Sequence, residues 1–138
     1  RSGSGFPQIY IMNSRDGDQD PVTRISFNSS HNDNPAWSPD GTKIAYTSKV
    51  GQHFQIKIYY LKDRKTVIFT SGDTDREEPS WSPDGSFLIF QETRNNRSHL
   101  AFKRFGGSKI RRFIPKKDEG LMIDSIGEFH PAWSPYLN

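Results

Sequence analysis

The residues of this chain with the chemistry to hold a metal or move a proton are four histidines and a scatter of carboxylates. His31 stands two positions before Asp33, and His53, His99 and His130 lie far apart. Their spacing points away from such chemistry. No His-x-x-x-His or His-Glu-x-x-His pair occurs, the pattern that sets two imidazoles on one helical face toward zinc, and the chain has no cysteine to offer a thiolate. Asp40 and Asp84 carry the oxygen ligands that calcium takes, but each sits at the same place in a repeated Ser-Pro-Asp-Gly turn, which assigns them a structural role. No Gly-x-Ser-x-Gly elbow or comparable nucleophile motif is present. These residues predict no catalytic site, no metal and no cofactor, so the chain is not expected to be an enzyme.

The turn belongs to a longer repeated unit. Pro35-Ala36-Trp37-Ser38-Pro39-Asp40-Gly41 returns as Pro79-Ser80-Trp81-Ser82-Pro83-Asp84-Gly85, and a third copy runs Pro131-Ala132-Trp133-Ser134-Pro135. Trp81 follows Trp37 by 44 positions and Trp133 follows Trp81 by 52. A spacing of about 40–50 residues is that of one four-stranded blade in a β-propeller. Within the unit, proline presets φ at the second turn position, aspartate tolerates the third, and glycine accepts a left-handed backbone at the fourth.

The elements that would carry these turns are short strands. Residues 8–12 and 22–27 read as two strands that end a blade, with Val22, Arg24 and Ser26 on one face of the second. A polar loop at 28–34 leads to an inner strand at 35–38. Strands at 42–48, 54–61 and 66–70 follow, separated by a loop at 49–53 and the charged turn Lys62-Asp63-Arg64-Lys65. The second unit repeats the path with strands at 79–82, 86–92, 99–105 and 109–114, and a long connection at 116–128. The expected organisation is all-β: a partial β-propeller over 1–138, with the last two strands of a blade in 1–27, full blades in 35–70 and 79–114, and a closing inner strand in 129–138. That is about three blades, half of a six-bladed ring. Trp37, Trp81 and Trp133 would be wedges between blades, each burying about 150–250 Å².

Composition fits this class. Hydrophobic residues make up only 32% of the chain, and ten Phe, five Tyr and three Trp supply much of the apolar bulk, as strands favour. Net charge is +3 and the sequence pI is near 9.2, with Lys and Arg dispersed, so no nucleic-acid partner is expected. Apolar runs such as Phe87-Leu88-Ile89-Phe90 fall far short of the roughly 20 residues that span a bilayer, so no membrane insertion is expected. The opening Arg1-Ser2-Gly3-Ser4-Gly5 reads as the interior of a loop, as if the numbering began inside a longer parent. A half-ring leaves an apolar sheet face bare at each end. Two copies closing head-to-tail, as a homodimer of half-propellers, would cover both.

The tandem Pro-x-Trp-Ser-Pro-Asp-Gly-x-x-Ile-x-Tyr motifs, followed by strands of the Gln-Ile-Tyr kind, resemble the TolB-like propeller repeats over essentially the whole chain. Residues 129–138 are similar to the end of the periplasmic, Gram-negative members of that family, which belong to the Tol-Pal system. The resemblance implies a six-bladed propeller preceded by a separate α/β domain, to which nothing here corresponds. It implies a non-enzymatic scaffold in the periplasm, serving envelope integrity and cell division, that binds the lipoprotein Pal, with TolA engaged through the missing N-terminal domain. Pal would dock at the channel mouth, on loops leading into the inner strands: His31, Asn32, Asp33 and Asn34; Arg76, Glu77 and Glu78; Glu128, Phe129 and His130. The repeat residues Trp37, Pro39, Asp40, Gly41, Trp81, Pro83, Asp84, Gly85 and Trp133 would be structural. The Ser-Pro-Asp-Gly motif is shared with other propellers, so the alternative is the non-catalytic gating propeller of a prolyl-oligopeptidase-like serine peptidase.

Overall fold

The structure is a computed structural model that describes residues 5–13, 21–116 and 120–123, with side chains through residue 113. Its described residues form strands and no helix: β1 Tyr10–Ile11, β2 Thr23–Arg24, β3 Asn32–Trp37, β4 Lys43–Val50, β5 His53–Tyr60, β6 Lys65–Ile68, β7 Asp75–Trp81, β8 Phe87–Arg94, β9 Arg97–Arg104, β10 Ile110–Lys116 and β11 Gly120–Ile123. They assemble into three antiparallel sheets, ordered β1-β2, β3-β4-β5-β6 and β7-β8-β9-β10-β11. The described residues form no closed ring.

The Ser-Pro-Asp-Gly turns are built alike. Ser38 Oγ donates to Asp40 Oδ1 at 2.6 Å, Thr42 N donates to the same oxygen, and Lys43 N donates back to Ser38 Oγ. Ser82, Asp84, Ser86 and Phe87 reproduce the set. Gly41 and Gly85 sit at φ 73° and 75°, the left-handed backbone that glycine adopts without a Cβ penalty. These bonds hold the exposed Asp84 carboxyl down at about 2, with the Ser86 hydroxyl the leading cause, and hold Asp40 lower still, led by Ser38.

Packing follows the two-residue period of the strands. Ile56 and Ile58 point from the four-stranded sheet, with Ala45 and Phe69, onto Leu88, Phe90 and Ala101 of the five-stranded one. The opposite face sets Ile44, Tyr46 and Tyr59 against Ile9 and Ile25 of the β1-β2 pair. Each large side chain so buried stabilises by roughly 1.5–3 kcal/mol.

Neighbouring sheets are also joined by a polar clasp that occurs twice. Gln55 on β5 accepts from the Thr70 hydroxyl at 2.8 Å and from Arg76 Nη1 at 3.2 Å, and donates to the carbonyls of Gly72 and Thr74. Gln8 accepts from the Ser26 hydroxyl at 2.7 Å and from Asn32 Nδ2 at 2.8 Å, and donates to the Ser29 carbonyl. By this correspondence β1 and β2 match β5 and β6.

The structure differs from the sequence reading at four places. The expected loop at 28–34 is half strand, because β3 begins at Asn32, where the backbone pairs opposite Ser48. The long connection contains β11, which pairs with β10 and makes the second sheet five-stranded. Strict alternation fails after Arg24: Ile25 and Ser26 are both buried, because Ser26 Oγ takes over the backbone donor of Ile9. Trp37 is 54% exposed, not wedged. Among the described residues its neighbouring sheet holds only β1 and β2, and none of them supplies a strand where Trp37 would meet one.

Candidate functional site

The edge strands β3 and β7 correspond to the expected inner strands, and they pack against each other. Trp81 Nε1 donates to the Ala36 carbonyl at 2.9 Å, and Glu78 N donates to Thr47 Oγ1 at 3.1 Å. At the end where both strands begin, each carries a β-bulge. Pairing with β4 shifts register between Asp33 and Ala36, and pairing with β8 between Glu77 and Ser80. The residue inside each bulge is left-handed, Asn34 at φ 50° and Glu78 at φ 56°, and each is exposed and followed by proline. A bulge leaves one residue unpaired and re-aims its side chain. Here it turns Asn34 and Glu78 outward at the same end of adjacent sheets.

Around them lies a rim of carboxylates and imidazoles. His31 Nε2 is 2.8 Å from Asp33 Oδ2, and the His31 ring meets Phe54 edge-on at 5.3 Å. Asp75 Oδ1 accepts from Phe54 N at 2.9 Å and lies 3.2 Å from His53 Nδ1. Glu77 is pushed above the ordinary carboxylate range by burial and by the nearby charges of Asp75, Asp33 and Glu78, with His31 pulling the other way. The rim carries four carboxylates, Asp33, Asp75, Glu77 and Glu78, against the Lys49 ammonium, which lies 4.6 Å from the Phe54 ring centroid, so a partner can supply further positive charge.

The residues singled out from sequence separate into two groups. His31, Asp33, Asn34, Glu77 and Glu78 stand together at the rim. Asn32 and Arg76 do not: they are 0% and 7% exposed and are spent on the clasps between sheets. They point into the sheet because each stands one residue before the rim residue Asp33 or Glu77, and successive strand residues face opposite ways. Glu128, Phe129, His130 and Trp133 lie outside the described residues. Sequence reasoning missed Asp75, His53 and Phe54, which complete the rim. The signal available was the short hairpin at Gly51 between β4 and β5, which returns His53 and Phe54 to the same end.

A left-handed non-glycine residue costs roughly 1–2 kcal/mol, least for asparagine, whose side chain can hydrogen-bond locally. Glu78→Asn copies Asn34 in the preceding repeat and is expected to raise stability by about 0.5–1 kcal/mol, read as a higher urea midpoint with an unchanged slope. A fall would show that the Glu78 carboxylate is holding the bulge.

A family model described as TolB beta propeller domain matches residues 1–137. The chain is 35% identical over 137 residues to the Tol-Pal system protein TolB of Hamiltonella defensa subsp. Acyrthosiphon pisum, covering 99% of this chain and 26% of that protein. It therefore spans about a quarter of the length of this curated relative. Among solved structures, TolB from Acinetobacter baumannii superimposes with a TM-score of 0.60 at 29% identity, over 74% of this chain and 25% of that one. A structure from Agrobacterium tumefaciens, provisionally assigned as TolB, gives a TM-score of 0.66 at 21% identity over 76% of this chain and 40% of that one, a likeness of fold.

Proposed function

The chain belongs to the TolB beta propeller family, and from that premise we propose that it is a non-enzymatic protein-binding scaffold of the bacterial cell envelope. It acts in the periplasm as part of the Tol-Pal system, and its partner is the lipoprotein Pal. The observation that carries this reading is the repeated bulge, which turns Asn34 and Glu78 outward at one end of neighbouring sheets amid His31, Asp33 and Glu77. A partner segment laid across that end can be held by several strands at once, its basic groups and backbone N–H groups donating to the carboxylates. By sequence position alone, at the head of the third repeat, Glu128, Phe129 and His130 are counted among the partner-binding residues of this proposal.

Calorimetric titration of the chain with the soluble domain of Pal tests the proposal. Saturable binding is expected, weakened tenfold or more in the triple variant Asp33→Asn, Glu77→Gln, Glu78→Gln and falling with added salt. A folded chain with no affinity at high micromolar Pal, or a triple variant that binds as well as the parent, overturns it.

A further inference from the structure

The five-stranded sheet gathers positive charge at the end of its strands away from the rim. There β8 begins, and Phe87 pairs with Arg104 at the end of β9. Between them and the turn into β10 lies a cavity of about 310 Å³, lined by Phe87, Phe102, Arg104, Ser108, Lys109 and Arg111 together with Gly107. Three of these residues are cationic and none is acidic. Among the described residues neither Arg104 nor Lys109 forms an ion pair, and the side chains of Arg104, Ser108 and Lys109 make no hydrogen bond. The Arg104 guanidinium lies 5.4 Å from the centre of the Phe87 ring, a contact that holds it at the cavity wall and leaves its N–H groups for an acceptor.

The first repeat shows which part of this corner the blade itself requires. At the 44-residue spacing Phe87 and Arg104 become Lys43 and Tyr60, a cation and a ring with the roles exchanged, 5.9 Å apart. That pair belongs to the blade. The first repeat, however, gives its cation a carboxylate, with Lys43 3.7 Å from Asp40, and sets Asp63 where the second has Gly107 and Val67 where it has Arg111. The second repeat thus keeps the ring, drops the acid and adds a base. We propose that this cavity binds a small aryl phosphate, its phosphate on Arg104, Lys109 and the Ser108 hydroxyl and its ring against Phe87. Several converging cations suit a doubly charged oxyanion, which an arginine fork holds with directed hydrogen bonds, and the aromatic wall suits a flat apolar body. The volume is at the small end of ligand sites, which run from about 300 Å³, and so admits a single ring with its charged group.

The test is an NMR titration of the 138-residue chain with phenyl phosphate, with phenol as the ring without the charge and inorganic phosphate as the charge without the ring. Phenyl phosphate is expected to give saturable shifts at the Phe87, Arg104, Ser108 and Lys109 amides, with phenol and inorganic phosphate each about tenfold weaker. The double variant Arg104→Gln, Lys109→Gln changes two exposed side chains, so it should fold as the parent does and bind phenyl phosphate about tenfold more weakly or worse. Phe87→Leu should bring phenyl phosphate down toward the affinity of inorganic phosphate. A double variant that binds as well as the parent, inorganic phosphate binding as tightly as phenyl phosphate, or no saturable shift at all overturns the site. So do shifts that follow ionic strength alone, which would mark ordinary surface charge.

Discussion

Glu92→Ala is expected to cost about 3–5 kcal/mol, the usual loss when a buried ion pair is broken by removing one partner. Glu92 is 0% exposed at the centre of a charge ladder that crosses the five-stranded sheet. Arg76 Nε on β7 donates to its Oε2 at 2.9 Å, Arg112 Nε on β10 donates to its Oε1 at 2.7 Å, and His99 Nε2 on β9 lies 2.8 Å from the same oxygen. Without the carboxylate, Arg76 stays buried with only its bonds to Gln55 and the Ser71 carbonyl. Against a typical total of about 5–15 kcal/mol, that loss should lower the urea midpoint severely. A loss under about 1 kcal/mol would mean that solvent reaches the ladder.

The first repeat supplies the control. At the same 44-residue spacing, Arg76, Glu92 and His99 become Asn32, Ser48 and Gln55, which face one another on β3, β4 and β5. That layer is neutral, and among the described residues Asn32 Oδ1 and Ser48 Oγ have no hydrogen-bond partner. The triple variant Arg76→Asn, Glu92→Ser, His99→Gln installs it in the second repeat and should recover most of the loss, because replacing a whole buried ionic group is often near neutral. Arg112, its side chain 46% exposed, can turn to water. The ladder also sets an acid limit. Burial pushes the Glu92 carboxyl up, but the hydrogen bonds from Arg112, His99 and Arg76 outweigh it and hold it at about 2, below its ordinary 4.5. A lowered folded-state value means stabilisation that is complete above about 4.5 and lost as pH falls toward 2. Glu92→Gln should therefore flatten the acid side of the stability profile over that window.

What could be read from the chain beforehand was whatever depends on neighbours in sequence. Proline before Asp-Gly dictated the turns at Asp40 and Asp84, and alternating Phe87-Leu88-Ile89-Phe90 dictated a strand with two apolar faces. What depends on residues tens of positions apart stayed hidden. Arg76 looks like a solvated loop residue until Glu92 is placed opposite it, and the charged stretch ahead of β11 gives no hint of added pairing. At the rim, His31, Asp33, Glu77 and Glu78 were found because they precede the repeat. Asn32 and Arg76 were misplaced because burial alternates residue by residue along a strand, and a bulge decides which side faces out.

The same contrast separates two tryptophans that the sequence treats as equivalent. Trp81→Ala should cost about 3–5 kcal/mol, because the indole stacks on Phe105 at 5.1 Å and 10°, packs against the core shared with the four-stranded sheet, and donates to the Ala36 carbonyl. Trp37→Ala, at 54% exposure, should cost less than about 1 kcal/mol in the single chain. The cost at Trp37 depends on what meets it. Where another strand closes on that side, from a second copy or from further repeats, Trp37 gains the carbonyl and the apolar contacts that Trp81 already has. Its substitution then becomes as costly as that of Trp81. Unfolding measured across a range of chain concentrations reads this directly. A Trp37→Ala penalty that is small and constant marks a single chain, and one that grows with concentration while the Trp81→Ala penalty holds steady marks a second copy seated on Trp37.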